Sequence, residues 1–191
     1  MSSVKMQGNA SGTGILTVTS PNTNSNYTLT LPAATGTLLS NATTTGFPAG
    51  SVLQVVTSAP FTTTASTSST SFVTTGLSVS ITPSSTSSKI LAIHSDGGSR
   101  NSTAGNGMLT TLYRNGTNVV ASSGTSPYAL NYTQNNSGIN VAPTSFVYLD
   151  SPASASSVTY TVYFASYNTA GTVYYNTTNF NSFLILMEIA G

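Results

Sequence analysis

No stretch of this chain carries helical periodicity long enough to bridge parallel strands, whereas short segments with period-two alternation recur along nearly its whole length. Strands without crossover helices pair antiparallel, so the repertoire narrows to sandwiches, barrels and related all-β folds. Strands are expected at Val52–Thr57, Phe61–Ala65, Ser71–Thr75, Leu77–Thr82, Lys89–Ser95, Met108–Arg114, Thr117–Ser122, Ala129–Thr133, Ser145–Asp150, Ser157–Tyr167, Gly171–Asn176 and Ser182–Ile189. Gly, Pro, Asn and Ser turns separate them, which points to a β-sandwich. Asn115-Gly116 is the strongest hairpin signal, because both residues tolerate the positive φ of a type I′ turn.

Composition sharpens this. Among 191 residues only four are Lys or Arg and three are Asp or Glu, and Ser, Thr and Asn stand where charges would be. Disordered chains are poor in aromatic and β-branched residues, and here Val, Ile, Tyr, Phe and Thr recur throughout, so the chain is folded. A surface of hydroxyls and amides lacks a steering field and can be displayed in many copies without repulsion. Four scattered basic residues cannot neutralise a run of phosphates, which excludes nucleic acid as partner. The absence of Cys and the single His94 exclude disulfides and Cys- or His-based metal clusters, and no cofactor is expected. Residues 1–8 carry no apolar run, so no secretory signal is expected. No segment approaches the roughly 20 apolar residues of a membrane helix, so no membrane insertion is expected either.

Residues 1–45 read as an arm. Ile15, Leu16 and Val18, then Tyr27, Leu29 and Leu31, mark two short strands, and 36–39 a third. So few apolar residues cannot offset an ordering entropy of about 1–2 kcal/mol per residue, so the arm needs copies of itself or a docking surface. These six residues are the candidates for that docking. Residues 46–50 form a linker, and 46–191 the sandwich head.

In the last strand Phe183, Ile185, Met187 and Glu188 are candidates for a subunit interface, because the strand is apolar on both faces for most of its length. Glu188 has two readings. Either it faces solvent near the C-terminus, or it lies in an interface paired with Lys89, Arg100 or Arg114, since an unpaired buried charge is costly. Tyr128, Asn131, Tyr132, Tyr167, Asn168, Tyr174 and Tyr175 fall in or beside expected loops. Flat rings with amide donors suit saccharides, and these seven are the candidates for a glycan-contacting surface.

Catalytic readings are weak. His94, Asp96 and Asp150 beside a serine would imitate a hydrolase triad, yet no Gly-x-Ser-x-Gly turn accompanies them. Glycan cleavage needs two carboxyls roughly 5–10 Å apart, and the chain has three in all. No catalytic residue is assigned, and a glycan depolymerase remains a remote alternative.

The segments from Gly12 to Asn22 and from Tyr27 to Leu39 resemble the repeat-like segment of bacteriophage tail-fibre and other virion structural proteins. Residues 76–91 are similar to the opening of the globular domain in the same proteins. Leu112-Tyr113-Arg114-Asn115-Gly116-Thr117 and Asn181-Ser182-Phe183-Leu184-Ile185 resemble the jelly-roll heads of complement and tumour-necrosis-factor type, which are trimers. The resemblance implies a homotrimeric phage protein on the virion surface, extracellular after host lysis. It would bind other virion proteins of the tail or capsid through its arm and host surface glycans through its head. Either a tail-fibre adhesin or a capsid decoration protein meets that description.

Overall fold

A computed structural model describes residues 11–13, 22–26, 47–120, 129–134, 141–177 and 181–191. The expected docking residues Ile15, Leu16, Val18, Tyr27, Leu29 and Leu31, and the glycan candidate Tyr128, lie outside the described residues. The chain divides into two compact units, Met1–Leu38 and Leu39–Gly191. In the first, the Ser25 backbone N–H donates to Thr23 Oγ1 at 3.1 Å.

The second unit is all β. Its strands are β1 (Val52–Thr57), β2 (Ala65–Thr67), β3 (Val73–Ile81), β4 (Lys89–Ser95), β5 (Ser99–Asn101), β6 (Gly107–Arg114) and β7 (Thr117–Asn118). They continue with β8 (Asn131–Gln134), β9 (Val141–Ala142), β10 (Ser145–Asp150), β11 (Val158–Ser166), β12 (Val173–Tyr175) and β13 (Phe183–Ile189). One sheet has the order β1-β13-β4-β10, and a second has β3-β11-β6-β7 with β8 also on β6. Every pairing is antiparallel. The outermost strands pair (β1 with β13), then the next inward (β3 with β11), then β4 with β10, and finally β6 with β7 and β8. That nesting is one long antiparallel hairpin rolled over a core, which is a jelly-roll sandwich.

Alternation explains the layers. In β3 Leu77, Val79 and Ile81 point inward while Ser78 and Ser80 point out. β11 buries Tyr160, Val162 and Phe164, β4 buries Ile90 and Ala92, and β13 buries Leu184 and Leu186. Each fully buried Leu contributes about 1.5–3 kcal/mol relative to exposure. Two expected strands, 71–75 and 77–82, are one: Gly76 at φ +90 puts a bulge into β3 instead of ending it. Thr75 Oγ1 holds the bulge by donating to the Val162 carbonyl at 2.8 Å. The Asn115-Gly116 turn has positive φ at both residues, 48° and 83°.

A third sheet has the order β2-β12-β5-β9. Each of its strands is the continuation, beyond a break, of a strand in the first sheet, and the lateral order is unchanged. Asp96 secures the break: its carboxylate accepts from the Gly98 N–H at 2.5 Å, from Thr144 Oγ1 at 2.6 Å and from Ser99 Oγ. Ser182 Oγ accepts from the Gly97 N–H, and Asn176 Nδ2 donates to the Phe61 carbonyl. Hydroxyls and amides, expected chiefly on the surface, are thus also interior fasteners. Ser88, Ser99, Asn106, Thr144, Ser166, Asn176 and Ser182 are all buried.

Candidate functional site

Strand direction gives the head two ends. The start of β1 meets the end of β13, where the Gly50 N–H donates to the Ala190 carbonyl at 2.8 Å. The third sheet, the start of β6 and the end of β11 lie at the opposite, distal end. Three groups of candidate residues fall there.

Tyr132 on β8 and Tyr167 just past β11 form an exposed pair, with ring centres 5.0 Å apart and planes tilted by 45°. They lie beside Gly107, whose carbonyl accepts the Tyr167 N–H at 2.8 Å. A Cβ at Gly107 would overlap the Tyr132 ring and sit 2.6 Å from the Thr133 carbonyl oxygen, so the close approach requires glycine. Burial first, and then the neighbouring Tyr167 phenol, push the Tyr132 phenol above its ordinary value. Below them Asn106 ties three segments together. Its Nδ2 donates to Ser166 Oγ and the Gly171 carbonyl, and its Oδ1 accepts the Gly107 N–H. Asn168 belongs to the same turn, donating to the Gly105 carbonyl and accepting the Ala170 N–H. Asn131 Nδ2 donates to the Ser145 carbonyl at 3.1 Å.

Arg100 and Tyr174 face each other across β5 and β12, with the guanidinium carbon 4.3 Å from the ring centre. Tyr174 is also opposite the exposed Ser66 of β2, so Ser66, Tyr174 and Arg100 form a row across the outer face of the third sheet.

Tyr175 corrects an expectation. It is fully buried and therefore no surface contact. Alternation along Val173-Tyr174-Tyr175 sends its ring inward, where its hydroxyl bonds to His94 Nε2 at 2.8 Å. His94 stacks on Phe146 at 4.6 Å between ring centres, and burial lowers its pKa from 6.5 to about 3.

Glu188 matches neither of its expected settings, solvent or an interface ion pair. It is 1% exposed and lies on the inward side of β13 with Leu184 and Leu186. Oε1 accepts from the Ser84 N–H (2.7 Å), Ser84 Oγ (2.6 Å) and Ser88 Oγ (2.7 Å), and Oε2 from Gln54 Nε2 (2.6 Å). Burial pushes the carboxyl up, and the Ser84, Gln54 and Ser88 hydrogen bonds outweigh it and hold the group below its ordinary value. Four neutral donors thus do what a lysine or arginine was expected to do.

Phe183, Ile185 and Met187 lie on the outer side of the same strand, and there they join neighbours. Registered rows run Val55, Met187, Leu91, Leu149 and then Thr57, Ile185, Ile93, Val147. Val55, Leu149 and Val147 are 57%, 51% and 64% exposed, so this sheet face presents apolar side chains to the outside on all four strands. A shallow groove lined by Thr57, Pro60, Asn181, Phe183 and Ile185 continues it distally.

The residues that would imitate a hydrolase triad have other partners: Asp150 binds Arg114 at 2.5 Å and the Tyr160 hydroxyl at 2.6 Å, His94 binds Tyr175, and Asp96 secures the sheet break. No group of three or more His, Cys, Asp or Glu able to hold a metal occurs among the described residues. The sequence matches no protein-family model and no curated protein.

Proposed function

We propose that this chain is a surface structural protein of a bacteriophage virion, a homotrimeric tail-fibre head that attaches to host surface glycans. The observation that carries the reading is the apolar outer face of the β1-β13-β4-β10 sheet. Eight side chains in two registered rows, from Val55 to Val147, lie on it, seven of them apolar and none charged. Exposed apolar surface of this extent marks an interaction site. The face measures roughly 20 Å by 20 Å from strand spacing and rise. A stable interface covers about 800 Å² on each partner, so the face supplies about half of what one needs, and the groove beside Phe183 extends it. Threefold symmetry follows the likeness to complement and tumour-necrosis-factor heads. The resemblance of the segments around 12–39 and 76–91 to phage fibre proteins supports the virion assignment. The exposed Tyr132 and Tyr167 at the distal end support contact with sugar faces.

Labelling intact particles with an antibody against the head, read by electron microscopy, tests the proposal. Label at the tail in tens of copies or fewer is expected. Label over the shell in hundreds of copies makes the protein a capsid decoration protein, and particles free of label refute the virion assignment.

A further inference from the structure

We infer that Arg100 and Tyr174 form a binding site for a carboxylated saccharide, a uronate-type sugar, at the distal end of the head. The inference rests on the glycan-attachment reading and names the ligand class. The Arg100 guanidinium is held over the Tyr174 ring at 4.3 Å, and its Nε is buried with no hydrogen-bond partner among the described residues. A buried, unpaired guanidinium N–H calls for an acceptor. No side-chain carboxylate among the described residues is free to supply it. All three of its acids are buried and engaged: Asp96 with Gly98, Ser99 and Thr144, Asp150 with Arg114 and Tyr160, and Glu188 with Ser84, Ser88 and Gln54. A second copy has the same buried side-chain carboxylates, so assembly supplies no partner either. A carboxylate pairing with Arg100 therefore has to come from another molecule.

Its class follows from the surroundings. A guanidinium stacked on an aromatic ring is preorganised to present the N–H fork that pairs a planar carboxylate bidentately. The Ser66 hydroxyl in the same row, exposed on β2, and the Tyr174 phenol flank it with groups that pair sugar hydroxyls. A neutral, hydroxyl-rich rim around one cation fits a single carboxylate set among sugar hydroxyls better than it fits a dense cluster of anionic groups.

Ligand-observed NMR titration of the full-length protein tests this, with trigalacturonic acid, its methyl ester, maltotriose and triglutamate as probes. The acid is expected to bind roughly 10- to 100-fold more tightly than its methyl ester or maltotriose, and Arg100→Gln is expected to abolish that preference. Arg100→Lys keeps the charge without the fork and is expected to fall between the two. Equal binding of the acid and its ester, or an Arg100→Gln protein that binds the acid like wild type, overturns the site. Triglutamate binding as tight as trigalacturonic acid overturns its saccharide assignment. Binding of maltotriose alone sinks this inference and leaves glycan attachment standing, and binding of no probe sinks it while particle labelling still decides the virion assignment.

Discussion

Acid should weaken this fold as the pH drops below about 6.5, because His94 must stay neutral to remain buried. Its pKa is 6.5 as an ordinary group and about 3 in the folded chain. Between those values the unfolded state binds one more proton than the folded state. Stability is therefore complete above about pH 6.5 and falls as the pH drops, by about 1.4 kcal/mol per unit, until the folded value is reached. At pH 5 the loss is about 2 kcal/mol, which lowers the melting temperature of a domain this size by roughly 4–8 °C. The pH is chosen because the Glu188 carboxyl, held below its ordinary 4.5, is still ionised there. Thermal and urea unfolding at pH 7 and pH 5 measure the effect. His94→Gln, which keeps a polar group near the Tyr175 hydroxyl without a titrating one, should lower stability at pH 7 and flatten the difference between the two pH values. An unchanged urea midpoint in wild type, or an equal acid loss in His94→Gln, would refute the reasoning.

Two other perturbations probe neighbouring features. Glu188→Ala leaves the Ser84 N–H and the Ser84, Ser88 and Gln54 side-chain donors without their acceptor, and is expected to cost about 2–4 kcal/mol in urea unfolding at pH 7. Because its folded pKa is depressed, the stability this group contributes is present above about pH 4.5 and is lost as the pH falls further, so wild type and Glu188→Ala should converge in strong acid. Gly107→Ala forces the Tyr132 ring and the Thr133 carbonyl to move, so it should weaken near-ultraviolet circular dichroism from the Tyr132–Tyr167 pair and reduce saccharide binding while the far-ultraviolet spectrum stays β-type.

Much of the framework is legible in the sequence because alternation is a local property. Val52–Thr57, Lys89–Ser95 and Ser145–Asp150 form strands at the expected boundaries. The jelly-roll-like sandwich follows from their antiparallel succession. The breaks are harder to read. Ser99–Asn101 and Val141–Ala142 were not expected as strands, because two or three polar or small residues carry no periodic signal and pair only once Asp96 and Thr144 fix the turn beside them. Phe61, expected to open a strand, makes one isolated bridge to Ser182, and regular pairing resumes at Ala65.

The surroundings of the candidate residues were legible in part. Tyr132, Tyr167 and Tyr174 reach the distal surface as their loop-side positions suggested, and Tyr175 does not. The signal that separates Tyr174 from Tyr175 is the inward Val173 two positions before Tyr175, since neighbours in a strand face opposite sides. The environments of Glu188 and His94 were not legible, because their partners lie 104 and 81 residues away in sequence. A buried acid amid serines looks like a surface acid until the roll brings 84–88 to the end of β13.

Sedimentation equilibrium of the full-length protein at micromolar concentration tests the central claim, that the apolar sheet face is covered by further copies of the chain. A mass of three times 19.5 kDa is expected, falling toward a single chain in Leu91→Lys, which sets a charge on the inner strand β4 of the face. A folded, cooperative wild-type protein sedimenting at 19.5 kDa would contradict it.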